Sequence, residues 1–422
     1  MHFGHIWRYI GEATQTSLAM TRFAEQSPAV APHPLDFVSL GKIVQIRERL
    51  LAAQAAGKVV FRFESGDPSF APAAHVSEGV VAALYAGKTH YVPNNGIPEL
   101  RAALAEKVRT RNRLAGVRSE DVFVTNGAMH ALYVAFGALL AEGDEVIIPD
   151  PMWTEVAENI RLAGGVAVGV RLSADDDFAY QAADIEAAIT PRTTAIFLNT
   201  PHNPTGAVLA RAELQAIYDL ARRHNIWIVS DEAYEDLVFQ PHEHVSIGSL
   251  ADDDDVRVIS IFSFSKSHAM SGLRTGYLVT RAPLLKDRIP KLLRCTINGV
   301  NSITQWAAVA AVRGSSANMT AMRDEYQVRR DIMLNALRDV PGVRPFAPRG
   351  TFFVWAELDP SVYARLEVAD ADALSASLAD DGIGSAPGDA FGPSYPDAIR
   401  FSFSCDTAMV REGSVKLREA LL

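Results

Sequence analysis

Four short polar motifs in this 422-residue chain combine side chains that could do chemistry on an amine. They are Asn126-Gly127-Ala128, Asn199-Thr200-Pro201-His202-Asn203-Pro204-Thr205-Gly206, Ser230-Asp231-Glu232-Ala233-Tyr234, and Ser263-Phe264-Ser265-Lys266 followed by Gly272-Leu273-Arg274-Thr275-Gly276. A lysine amine such as that of Lys266 can form an imine with an aldehyde, and burial lowers its pKa toward the neutral, nucleophilic form. A carboxylate such as Asp231, set against a pyridine nitrogen, keeps that nitrogen protonated and makes the ring an electron sink. Tyr234 and Asn203 can donate hydrogen bonds to a ring phenolate. Arg274, the hydroxyls of Ser263 and Ser265, and the amides from Gly127 to Met129 at a helix start suit a phosphate. Each motif alone is ordinary: a lysine after a strand is usually a surface lysine, and Asn-Pro-Thr-Gly alone is usually a turn. The ordered set is what points to one site.

The motifs need a scaffold that brings them together. From residue 122 to 280, apolar runs at 122–125, 145–148, 166–172, 195–198, 227–229, 256–262 and 276–279 alternate with helix-like spans such as 211–224. Continuous rather than alternating hydrophobicity suits strands covered on both faces, so a mainly parallel, doubly wound seven-stranded sheet is expected. The pair after Phe262 could include an antiparallel member. Each polar motif falls just beyond a run, and open α/β sheets bind ligands outside the carboxyl ends of their strands. After about Arg313 the pattern changes. A helix is expected over 319–340, stopped at Pro341-Gly342, then a strand at 351–356, a helix at 371–380, a strand at 399–404 and a closing helix from Val410. The expected division is an N-terminal arm at 1–34, possibly disordered, a large domain at 66–313, and a small α+β domain built from 35–65 with 314–422.

Composition excludes several classes. Hydrophobic residues make up 48% of the chain and charged residues 21%, which supports a large core and argues against wholesale disorder. The net charge of −10, with no long basic run, argues against nucleic acid and anionic membranes as partners. No stretch approaches the roughly 20 apolar residues a bilayer span needs, and the first residues lack a secretory signal. Two cysteines, Cys295 and Cys405, make neither a disulfide framework nor a zinc site, and a reducing, cytoplasmic compartment is expected. The run from Asp252 to Asp255 reads as a solvated loop, and no metal is expected. Met20 could serve as an alternative initiator.

At these residues the chain resembles the class I/II aminotransferases of pyridoxal-phosphate fold type I, in the bacterial aspartate-aminotransferase-like branch. The resemblance runs from about residue 40 to the C-terminus. It includes Glu64-Ser65-Gly66-Asp67-Pro68, Tyr91-Val92-Pro93 with Gly96-Ile97-Pro98-Glu99-Leu100-Arg101, Pro151-Met152-Trp153 and Ile399-Arg400-Phe401-Ser402. It implies pyridoxal 5'-phosphate on Lys266, Asp231 at its pyridine nitrogen, and Tyr234 and Asn203 at its ring oxygen, with a cis Asn203–Pro204 bond. It implies Trp153 stacked on the ring, and Ser263, Arg274 and the amides of Ala128 and Met129 around the phosphate. Tyr91 would reach the phosphate of a neighbouring subunit in a homodimer with shared active sites. Arg400 would hold the substrate α-carboxylate, with Gly66, Asn203 and Trp153 also lining the substrate site. Departures from the family pattern include Asn94-Asn95, Asp67, Met152, and Ala128-Met129 where some relatives carry a hydroxyl or lysine.

The expected reaction moves an amino group from an L-amino acid to a 2-oxo acid by a ping-pong route, with Lys266 carrying the α-proton. Arg294 is aligned near an arginine that reads a distal carboxylate in some relatives, a slight lean toward acidic donors that leaves neutral and aromatic ones open. A carbon–sulfur β-lyase or related synthase would share Lys266, Asp231 and Arg400. A transcriptional regulator on this fold would need a DNA-binding domain, and the roughly 35 residues before the fold are too few for a winged helix.

Overall fold

The computed structural model describes residues 6–8, 34–38, 41–252 and 255–422. Most of the arm expected at 1–34, including Met20, lies outside the described residues, as do Asp253 and Asp254. The flanking carboxylates are engaged: Asp252 pairs with Arg222, and Asp255 binds Arg257 and the Tyr218 hydroxyl.

The larger sheet holds β1 (Ile6–Arg8), β2 (Val122–Thr125), β3 (Glu145–Asp150), β4 (Val166–Arg171), β5 (Thr193–Asn199), β6 (Trp227–Asp231), β7 (Val258–Ser263) and β8 (Gly276–Val279). Their order is β1-β4-β3-β5-β6-β7-β8-β2. The five strands β4, β3, β5, β6 and β7 run parallel. Strand β8 is antiparallel to both β7 and β2, which supplies the antiparallel member expected after Phe262. All seven expected strands form. The eighth, β1, pairs antiparallel with β4 at the edge and had no clear apolar signal in the sequence.

Burial explains why these runs are continuously apolar. Val146, Ile148, Phe197 and Val229 pack on one face against Leu132, Val156, Ile160 and Leu285. Ile147, Ile196, Leu198 and Ile228 pack on the other, against Leu214, Ile217 and Leu220. Those last three come from the helix Arg211–His224, whose bounds match the expected ones. Glu213 bonds back to the Ala210 amide at its start. Arg222, Arg223 and His224 face the negative end of its dipole, and Asn225, at φ 53°, turns the chain away.

A second sheet of order β11-β12-β10-β9 follows, from β9 (Val343–Pro345), β10 (Phe353–Leu358), β11 (Ala386–Pro387) and β12 (Ala398–Ser402), all antiparallel. The helices Ala317–Arg338 and Thr407–Leu421 contribute Tyr326, Met333, Leu334, Val410 and Leu417 to the core it shares. Phe61 and Phe63 enter the same core, and their backbone bonds to Gly382, Gly384 and Ser402. Sequence residues well before the large sheet are thereby tied to the small one.

Candidate active site

Sheet register aligns the polar motifs before any side chain is considered. Asn199 at the end of β5 is paired with Asp231 at the end of β6. Ser263 at the end of β7 and Thr125 at the end of β2 are both paired with Gly276 at the start of β8. One carboxyl edge therefore carries all four motifs, as expected for this class of sheet.

Asp231 is 4% exposed, and its Oδ1 accepts a hydrogen bond from the Ala233 amide at 3.1 Å. Burial raises its pKa to about 7 against the pull of that amide and of Lys266. A carboxyl group so raised lacks a close cation, and a pyridinium nitrogen would supply one. Lys266, in the short helix Phe264–Ser267, donates from Nζ to the Gly66 carbonyl at 2.5 Å. Burial lowers its pKa to about 8, helped by Arg274 and Arg400 and opposed by Asp67 and Asp231. Its amine is thus partly neutral near physiological pH. Tyr234 is buried with its ring edge-on to Phe352, and burial raises its phenol pKa well above the usual value.

Asn203 sits behind a cis bond to Pro204, as expected. The Asn199 Oδ1 accepts from the Asn203 amide at 2.8 Å and fixes this turn. Asn203 Oδ1 then accepts from Arg400 Nη1 at 2.9 Å, which leaves the Asn203 side-chain N–H groups for another acceptor. Arg400 Nη2 donates to the Glu64 carbonyl at 2.8 Å, while its guanidinium lies 4.1 Å from the Phe353 ring centre and 4.8 Å from that of Phe391. Burial lowers its pKa to about 10, and its Nε has no partner among the described residues. A buried arginine with a spare donor suits a carboxylate ligand.

A second group of donors suits a phosphate. Gly127 adopts φ +82° immediately before the helix Ala128–Leu139, and a Cβ there would lie 2.4 Å from Arg274 Nη2. A side chain there would push that guanidinium off the helix start, and the positive φ also favours glycine. Arg274 donates to the carbonyls of Ser271 at 2.9 Å and Asn126 at 3.4 Å. Ser263 Oγ accepts from the Ser265 amide at 3.1 Å, and both serines are buried. Ala128 and Met129 open the helix. These donors, the raised carboxyl of Asp231 and the depressed amine of Lys266 fit pyridoxal phosphate.

Trp153 is half-buried and borders a cavity of about 260 Å³ together with Met129 and Phe391. Tyr91 is 92% exposed on the single chain. Arg294 is exposed on the helix Pro283–Thr296, outside the group that surrounds Lys266. Several contributing residues went unassigned in the sequence reading. Asn199 stood inside a quoted motif without a role. Tyr180, whose hydroxyl donates to the Asn199 carbonyl at 3.2 Å, carries no local signal. Phe352 and Phe353, which pack on Tyr234, read only as strand residues.

Comparison with known proteins agrees with this geometry. A family model described as aminotransferase class I and II matches residues 58–417. The chain is 37% identical over 367 residues to the arginine–pyruvate transaminase AruH of Pseudomonas aeruginosa, covering 87% of this chain and 91% of that protein. It is 34% identical over 360 residues to an aspartate aminotransferase of Geobacillus stearothermophilus, covering 85% and 90%. The structure of an aspartate aminotransferase from Thermus thermophilus with maleate superposes with a TM-score of 0.86 at 31% identity, covering 93% of this chain and all of that one.

Proposed function

The chain belongs to the class I and II aminotransferase family, and from that premise we propose how its own residues carry amino transfer between an L-amino acid and a 2-oxo acid. The enzyme is an aminotransferase of pyridoxal-phosphate fold type I, and the three relatives named above all carry transferase names, none a lyase name. Pyridoxal phosphate, when bound, supplies an electron sink for the α-carbon of the amino acid.

The chain does the rest. The convergence of Lys266, Asp231 and Asn203 at the carboxyl edge of the large sheet, with Arg400 reaching Asn203 from β12 of the small sheet, carries the reading. Asp231 would hold a positive ring nitrogen by charge, Tyr234 and Asn203 would donate to the ring oxygen, and Trp153 would pack against the ring. Arg274, Ser263 and the amides of Ala128 and Met129 would hold the phosphate at a helix N-terminus. Arg400 would grip the donor's α-carboxylate and so orient the α-carbon, and Gly66 borders the same space. Lys266 Nζ, with its lowered pKa, takes the α-proton and returns one at the end of the half-reaction. The two half-reactions share one site, so ping-pong kinetics follow.

Tyr91 is the residue that would complete the phosphate site of a second copy, and its exposure on the single chain supports a homodimer with shared active sites. The separate large and small sheets support a domain division at 66–313 and at 35–65 with 314–422, with β1 added to the large sheet from the N-terminal arm. No described helix is long and apolar enough to cross a membrane. A cytoplasmic location is our reading from cysteine usage.

The test is direct. The purified, coloured protein is mixed with a panel of amino acids and its cofactor absorption followed. Bleaching by particular amino acids, reversed by particular 2-oxo acids, is expected, with borohydride fixing the label on Lys266. Release of pyruvate and ammonia without an oxo-acid acceptor would replace amino transfer by elimination, and a label on another residue would displace Lys266.

A further inference from the structure

The cavity beside Trp153 has an uneven charge. Met129, Met152, Trp153 and Phe391 give it apolar walls, and the charged side chains among its lining residues are Glu155 and Glu158. Among the described residues, no lysine, arginine or histidine lines it. The two carboxylates differ in commitment. Glu158 is paired with Arg161 at 2.8 Å, whereas Glu155 accepts from the neighbouring Thr154 hydroxyl at 3.1 Å and from its own backbone amide, and makes no ion pair among the described residues.

Two residues of the cavity wall also border the places assigned to the substrate and the phosphate. Phe391 lines it and also lies 4.8 Å from the Arg400 guanidinium. Met129 lines it and also opens the helix that faces the phosphate site. Glu155 keeps an exposed surface, yet protein crowded around its carboxylate raises its pKa, and the nearby positive charge of Arg400 works against that rise. An amino acid held by its carboxylate at Arg400 would run its side chain along Phe391 toward Glu155.

We propose that Glu155 selects the amino donor by the charge at the far end of its side chain, favouring a guanidinium or ammonium group and rejecting a carboxylate. The proposal rests on the amino-transfer reading and assigns the substrate class of the same site. An apolar wall accommodates a methylene stem, and a carboxylate without a cation of its own pairs with the terminal charge. A donor ending in a carboxylate would instead face two negative groups, and burying like charges together is unfavourable. This reverses the slight lean toward acidic donors drawn from Arg294.

The test compares arginine, its neutral isostere citrulline, and glutamate in the half-reaction that bleaches the holoenzyme. Wild type is expected to favour arginine over citrulline at least tenfold in kcat/KM, with glutamate slowest. Glu155→Gln should lower the arginine-to-citrulline ratio fivefold or more. A smaller fall, or a wild type that takes glutamate faster than arginine, overturns the proposal. Calorimetric binding of 5-guanidinopentanoate against hexanoate to the wild-type holoenzyme reads the same preference without turnover or a variant, and equal affinities also overturn it. If no amino acid bleaches the protein while guanidinopentanoate still binds more tightly, amino transfer fails and the cation site stands.

Discussion

Two lysine–carboxylate neighbourhoods in this protein are both withdrawn from water, and they differ in whether the charges meet. Lys107 reaches Glu235 at 2.5 Å with its ammonium 4.4 Å from the Phe262 ring centre, and Asn112 adds a hydrogen bond to the same carboxylate at 2.7 Å. Burial pushes Glu235 up, but Lys107, Arg111 and His244 outweigh it and hold the group below the usual carboxylate range; burial still lowers Lys107, against the pull of Glu235. Lys266 instead donates to a carbonyl, and Asp231 accepts from a backbone amide. Their charges sense one another only at longer range, so burial wins and drives both toward neutrality. A satisfied pair contributes to structure. An unsatisfied pair leaves an amine free to react and a carboxyl free to meet an incoming cation.

Removing each lysine should therefore break different properties, and the largest effect is on catalysis. Lys266→Ala is expected to lower amino transfer by at least about a thousandfold, since it removes the proton carrier and the attachment point together. Its thermal unfolding should stay at or above that of the wild type, because no buried partner loses its ion pair. A variant that retained a tenth of wild-type turnover would assign the proton transfer elsewhere.

Next in size is the structural pair. Lys107→Ala strands Glu235 among apolar and polar neighbours without its nearest cation, a change that costs about 3–5 kcal/mol when a buried pair is broken. Denaturant unfolding should register that loss, while the protein that remains folded turns over at a rate near wild type. Loss of less than about 1 kcal/mol would mean that Arg111 and His244 already satisfy the carboxylate.

The contrast also separates what a sequence can and cannot show. The strands of the large sheet were legible because covering both faces makes each run continuously apolar. The helix Arg211–His224 was legible to the residue because its start and stop carry local chemistry. The last helix starts at Thr407 rather than Val410, since Asp406 accepts from the Met409 amide and caps it, a signal that counting apolar residues passes over. The site motifs were legible in kind, as residue types just past strand ends. Their partners were not. Gly66 meets Lys266 across 200 residues and Glu235 meets Lys107 across 128, and no local pattern encodes either contact. The pairing of Glu158 with Arg161 is local, three residues apart in one helix, but the cavity that Glu155 faces appears only when the fold is assembled.

The smallest expected effect concerns Asp231 in protein stripped of its cofactor. Its pKa is raised by burial from the ordinary 3.8 to about 7 in the fold. Between those values the folded chain binds a proton that the unfolded chain has released, so stability falls as pH rises through the window. The contribution is complete below the unfolded value and gone above the folded one. Asp231→Asn cannot titrate, so the stability difference between wild type and this variant should shift against the wild type from pH 5 to pH 8, read as urea midpoints. Adding pyridoxal phosphate should flatten the wild-type dependence, because a positive ring nitrogen beside the carboxylate keeps it ionised and lowers its pKa. Parallel curves for wild type and variant would mean that Asp231 is already ionised in the empty site, and the contrast with Glu235 would then rest on geometry alone.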